Sequence, residues 1–173
     1  MIFNPYEQTT AAPEATAPAL PPVFLLPVQI VLARIVRHIA TARPELFNRI
    51  GPHRSKYFLI VPTNLPYAML LQPDPARPSL RAVPKTWADF HARITGTALT
   101  LLAMIDGRSD GDALFFSRDL RVEGDTEAVV CLRNALDDLD GSVADDAAAL
   151  FGPPGRMVLS CLRRIRRDQG EAK

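Results

Sequence analysis

Three histidines, two cysteines and a dense run of carboxylates are the side chains with the most obvious capacity for chemistry in this chain. General acid–base catalysis needs titratable groups that converge, yet His38, His53 and His91 lie in three unrelated contexts with no pairing pattern around them. Cys131 and Cys161 lack any CxxC or Cys/His spacing, so they do not imply a metal; they read as buried free thiols, with a single bridge between them as the alternative. The glycines are scattered without GxGxxG or GxxxxGK spacing, which leaves a phosphate-cradling loop unsupported. Gly51-Pro52-His53-Arg54 reads either as a small anion site or as an exposed basic linker. No catalytic residue, metal site or cofactor is expected, and the protein is read as a non-enzyme.

What the chain has instead is apolar surface. Its 173 residues are 47% hydrophobic, enough for one domain with a sizeable core, and Lys and Arg total 20 against 19 acidic residues, so net charge gives no reason to expect nucleic acid. The charges are unevenly placed. Glu123 to Asp146 carries many carboxylates and one Arg, whereas Arg156, Arg163, Arg164, Arg166 and Arg167 crowd the last helix among Met157, Val158, Leu162 and Ile165. That composition suits membrane contact on an anionic surface, and it equally suits an ordinary helix with solvated arginines. The N-terminus has no secretory pattern, and the apolar run Val23 to Ala33 falls short of the roughly 20 residues of a membrane span. A cytoplasmic protein, peripheral to the inner membrane at most, is expected.

The elements that must position these side chains follow from periodicity and turn chemistry. Residues 1–22, rich in Ala and Pro, read as a disordered tail. Val23 to Ala42 reads as an amphipathic helix, with Val28, Val31, Leu32, Ile35 and Ile39 on one face and Pro27 in its first turn. A short helical turn at Glu45 to Ile50 precedes a strand at Lys56 to Val61, then a hairpin of Tyr67 to Gln72 and Ser79 to Val83 across a Pro-rich turn. Thr86 to Thr95 reads as a further strand with Trp87, Phe90 and Ile94 buried, followed by a short helix from about Leu99 to Gly107. Strands grouped before and among helices, without a repeated βαβ pattern, indicate an α+β fold with a mainly antiparallel sheet.

The most specific stretch is Asp112 to Leu139, DALFFSRDLRVEGDTEAVVCLRNALDDL. Leu120 and Val122 alternate with Arg121 and Glu123 as in a half-buried strand, Gly124 releases the backbone, and Asp125 is placed to cap a helix. Ala128, Val129, Leu132, Ala135, Leu136 and Leu139 then recur at helical spacing and form one apolar face.

This stretch resembles the closing strand and helix of the sterol carrier protein 2 family and, within it, the bacterial accessory factors of oxygen-independent ubiquinone biosynthesis. The similarity is strongest from about Ala88 to Asp140 and extends over Ser55 to Pro84. The resemblance implies a lipid-binding domain at 23–140, in which an antiparallel sheet covered by helices encloses an apolar tunnel for an isoprenoid or another lipid. An Ala/Gly/Pro linker and a basic helix would follow at 141–173. On the residues alone, Met69, Trp87, Phe90, Leu99, Leu102, Phe115, Phe116, Val129, Leu132 and Leu136 are core candidates first; the resemblance makes them the candidate lipid-binding positions. It also implies a partnership with the iron–sulfur hydroxylation factors of the ubiquinone pathway. The alternatives are a general phospholipid, fatty-acyl or sterol carrier, and a protein–protein scaffold whose tunnel is filled by its own side chains.

Overall fold

A computed structural model describes residues 22–106, 120–139 and 141–171. The expected disordered tail up to residue 21 and the Phe115-Phe116 pair lie outside these residues. The order is helix α1 (Pro22–Ala42), α2 (Pro44–Arg49), a 3-10 turn (Gly51–Ser55), strands β1 (Phe58–Pro62), β2 (Ala68–Gln72), β3 (Ser79–Val83) and β4 (Ala92–Gly96), α3 (Ala98–Asp106), β5 (Arg121–Gly124), α4 (Thr126–Asp137), α5 (Val143–Ala149) and α6 (Gly152–Glu171).

The sheet runs β3-β2-β1-β4-β5, with β1 and β4 parallel and the other three pairs antiparallel. Its register places Ala82, Met69, Ile60, Ile94 and Val122 in one row across all five strands, and Arg81, Leu70, Leu59, Arg93 and Glu123 in the neighbouring row. Because side chains alternate along a strand, the first row faces one side and the second the other. Helices cover the first side: Phe58, Ala92 and Ile94 pack with Ile39, Phe47, Leu101, Val129 and Leu132. On the second, Leu59, Val61, Leu70 and Val83 pack against Tyr57, Trp87 and Phe90.

Two sequence expectations need correction. Thr86 to Thr95 is not one strand, for β4 begins only at Ala92. Trp87 turns on Pro84, its ring N–H donates to the Asp89 carbonyl at 3.0 Å, and its face lies 6.0 Å from the Arg81 guanidinium. The segment crosses over the sheet, which is why its apolar residues fall three apart and not two. Residues 141–155 are likewise no simple linker. Ser142 caps α5 by accepting from the N–H groups of Ala144 (3.1 Å) and Asp145 (3.3 Å), and Pro153 and Pro154 occupy the first turn of α6, where a missing N–H costs nothing.

Smaller differences are local. Pro27 lies inside α1, beyond the first turn, and so forfeits one intrahelical bond. Cys131 and Cys161 are both free, but Cys161 is exposed and Cys131 only half-buried. By length and composition α1 is long and apolar enough to cross a membrane: Leu25–Ala42 has a mean hydropathy of 1.4, a longer apolar run than Val23 to Ala33.

Two junctions fix the frame around the helical side. Gln29 of α1 reaches the outer edge of β3, donating to the Ala82 carbonyl at 2.6 Å and accepting from the Ala82 N–H at 3.2 Å, so its side-chain amide takes the place of a neighbouring strand. At the β5–α4 corner, Asp125 accepts from the Ala128 N–H at 3.0 Å and pairs with Lys56, which also meets His53 Nδ1 at 2.9 Å. The hydrogen bonds from Lys56 and from Ala128 hold the Asp125 carboxyl below its ordinary pKa.

Gly124 at this corner has φ +80°, and a Cβ there would run into the His91 carbonyl oxygen. Gly124→Ala is therefore expected to cost at least about 2 kcal/mol, left-handed backbone strain plus a clash with main chain that cannot swing away. A denaturant melt checks this, and an unchanged midpoint would contradict it.

Candidate functional site

Between the sheet and the helices lies a cavity of about 330 Å³. The sheet contributes Ile60, Met69, Leu71 and Leu80 to its wall, and α1 contributes Leu32, Ile35, Val36 and Ile39. Leu46, Phe47 and Ile50 enter from α2 and the residue after it, and Leu101, Leu102, Met104 and Ile105 from α3. Leu132 and Leu136 of α4 and Val143 and Ala147 of α5 complete the ring of helices.

Every lining residue among those described is Leu, Ile, Val, Ala, Phe, Met or Pro. Among the described residues the chamber has no side chain that could hydrogen-bond a head group, hold an ion or transfer a proton, and what this lining can do is cover hydrocarbon. Met69 and Met104 give it some adaptability, since unbranched thioether side chains re-pack readily. Among the described residues no group of three His, Cys, Asp or Glu side chains is placed to hold a metal ion.

The residues singled out in the sequence divide by position. Met69, Leu102, Leu132 and Leu136 line the cavity. Val129 is packed in the core behind them at 1% exposure, and Leu99 is half-buried on α3 away from the lining. Trp87 and Phe90 lie on the other side of the sheet, and Phe115 and Phe116 are outside the described residues. Sequence reasoning missed three walls, and that of α2, with Leu46, Phe47 and Ile50, was read only as a short helical turn. The α1 wall was legible as an apolar face but was not connected to a cavity. The α5 wall was hidden because VADDAAA is short and reads as a surface loop.

The arginines of α6 divide as well. Arg156, Arg164 and Arg167 are exposed, beside Met157 at 68%, Val158 at 60% and Ile165 at 47% exposure. Arg163 instead turns inward: its Nε donates to Asp106 Oδ2 at 3.0 Å, its Nη2 to Asp106 Oδ1, and its Nη1 to Asp145 Oδ1 at 2.8 Å. Arg166 also leans toward Asp106, with 3.9 Å between Nη1 and Oδ2. The outward basic face thus has three arginines and not five.

Asp106, at the last position of α3, is fully buried, and Ser142 donates to it at 2.8 Å. Burial pushes its pKa up, but the hydrogen bonds from Arg163 and Ser142 and the charges of Arg163 and Arg166 outweigh this and hold the carboxyl below its ordinary value. The same carboxylates, Asp106 foremost, raise the pKa of Arg163.

The family model of the SCP-2 sterol transfer family matches residues 43–137, more than half of the chain. No curated protein matches the chain in sequence. Among solved structures the chain is similar to a UbiJ-SCP2 ubiquinone synthesis protein, at 18% identity over 68% of this chain and 92% of that one, with a TM-score of 0.45. It is similar also to sterol carrier protein domain 2 of Helicoverpa armigera (10% identity, 68% and 91% covered, TM-score 0.46) and to sterol carrier protein 2 of Yarrowia lipolytica (13% identity, 63% and 86% covered, TM-score 0.44).

Proposed function

The chain belongs to the SCP-2 sterol transfer family, and on that premise we propose that it is a non-enzymatic lipid-binding accessory factor whose cavity covers the tail of a hydrophobic ubiquinone precursor. The observation that carries this reading is the wholly apolar lining of the chamber. Each methylene moved from water into it is worth about 0.8 kcal/mol, so a tail is held firmly without any polar contact. The polar ring has no partner among the described lining residues and stays outside the chamber, where another protein can reach it.

The quinone assignment rests on the residues from Leu114 to Glu127, which resemble those of UbiT, an accessory factor of oxygen-independent ubiquinone biosynthesis. From that resemblance come the proposed partners, the iron–sulfur hydroxylation factors of the pathway, which would act on the presented ring. A cytoplasmic protein loading such a lipid must visit the bilayer that dissolves it. The exposed face of α6, with Met157, Val158 and Ile165 beside Arg156, Arg164 and Arg167, has the composition for that contact at an anionic surface. A general acyl or sterol carrier is the second reading, favoured by the lack of any head-group reader among the described lining residues.

The test is mass spectrometry of the organic extract of protein purified gently from a ubiquinone-making bacterium grown without oxygen. Polyprenyl phenols at near-stoichiometric levels are the expected result. Phospholipid or fatty acid alone would replace the quinone reading with the general carrier, and an empty extract would leave only a scaffold role.

A further inference from the structure

The family match ends at residue 137, but the cavity wall does not. Val143 and Ala147 lie beyond it, on a helix that packs against both α1 and α3 and so bridges two walls of the chamber. That helix is held from behind. Ala144 and Ala148 pack against Leu159 of α6, and at Gly155 the two helices approach so closely that a Cβ would meet the Ala148 carbonyl oxygen and lie 2.8 Å from Phe151 Cβ. From below, Asp106 takes the Ser142 hydroxyl that caps α5, while Arg163 joins Asp106 to Asp145.

A short helix pinned this way is a fixed partition. Its inward side chains are small, and the room they leave is countable. Taking a methylene-sized group as about one water's share of the liquid, ~30 Å³, the chamber holds at least on the order of ten of them. That is room for about two isoprene units or somewhat more, still short of a long polyprenyl tail.

We propose that the α5–α6 hairpin is an added wall that sets the length of chain the cavity admits, with Val143 and Ala147 as the specificity-determining side chains. Asp106 and Arg163 are positioning residues, which act on chain length by holding α5 in place. The inference rests on the lipid-carrier reading. It adds that affinity climbs with length only until the chain reaches this wall, and that the rest of a longer tail stays outside the chamber.

The experiment is displacement of a fluorescent fatty acid from the full chain by isoprenoid alcohols of two, three and four units. For the unaltered protein, affinity is expected to rise at first and then level off. In Ala147→Phe the three- and four-unit alcohols should lose roughly tenfold, while the two-unit alcohol changes less than about threefold. In Arg163→Met, with the wall released, the levelling-off should move to longer chains, a change that general destabilisation would not produce. If Ala147→Phe does not fold, Ala147→Leu should give a smaller shift in the same direction. Equal losses for all three alcohols in the position 147 variants, together with an unmoved profile in Arg163→Met, would overturn the proposal while leaving the carrier reading intact. If the unaltered protein binds neither the fluorescent probe nor any alcohol, the carrier reading itself fails.

Discussion

Replacing Asp106 with asparagine should lower stability by about 3 kcal/mol, because Arg163 would keep a largely buried charge that has lost its main partner. This is the lower end of the cost of breaking a buried pair, since Asp145 still holds one arm of the guanidinium. In a chain of this size the loss corresponds to roughly 6–12 °C in Tm. The same ion pair should give the protein an acid limit. The folded Asp106 carboxyl titrates below the unfolded one, so its contribution is complete above the unfolded value of about 3.9 and disappears as pH falls through the folded pKa. Thermal melts by circular dichroism between about pH 2 and pH 7 should show the unaltered protein losing stability on acidification more steeply than Asp106→Asn. Parallel curves would show that this pair does not govern the acid limit.

A tryptophan at position 132 should abolish lipid retention and leave the fold intact, whereas a tryptophan at 129 should damage the fold. Both residues lie on α4 and both are nearly inaccessible, Leu132 at 4% and Val129 at 1%. Only Leu132 borders the chamber, so an indole there has room to enter and fills the space a lipid would occupy. Val129 is surrounded by packed core, where overfilling typically costs about 1–3 kcal/mol and displaces backbone. Lipid content per protein and a melting curve, measured on both variants, test the pair. Lipid uptake persisting in a folded Leu132→Trp protein would show that this chamber is not where lipid binds.

How far the sequence foretold these sites depended on the range of the interactions involved. The β5–α4 corner was legible because Gly124 and Asp125 act on their own neighbours, and the apolar face of α4 followed from its spacing. The strands were recovered within a residue or two wherever prolines marked their limits. Which apolar face borders empty space was not legible, since a lining leucine and a core leucine differ only in what lies opposite. Hence Val129 and Leu132 looked alike, and Trp87 and Phe90, assigned to a strand that begins only at Ala92, lie across the sheet from the cavity. Arg163 was indistinguishable from Arg164 because its role comes from Asp106, 57 residues away. The short α5 offered too little apolar pattern to separate it from a loop.

The Gln29 side chain that closes the outer edge of β3 also bears on association between copies. An uncovered edge strand is a row of free N–H and C=O groups, the usual starting point for strand-to-strand aggregation. Here one amide satisfies both groups of Ala82, and its attachment is α1, whose outward side exposes Leu26 and Ile30. Any event that lifts α1 from the sheet, a bilayer included, would bare the β3 edge and the cavity's own apolar wall together. Protection of the sheet edge and closure of the chamber are thereby tied to the same helix, and self-association is expected wherever α1 leaves the sheet.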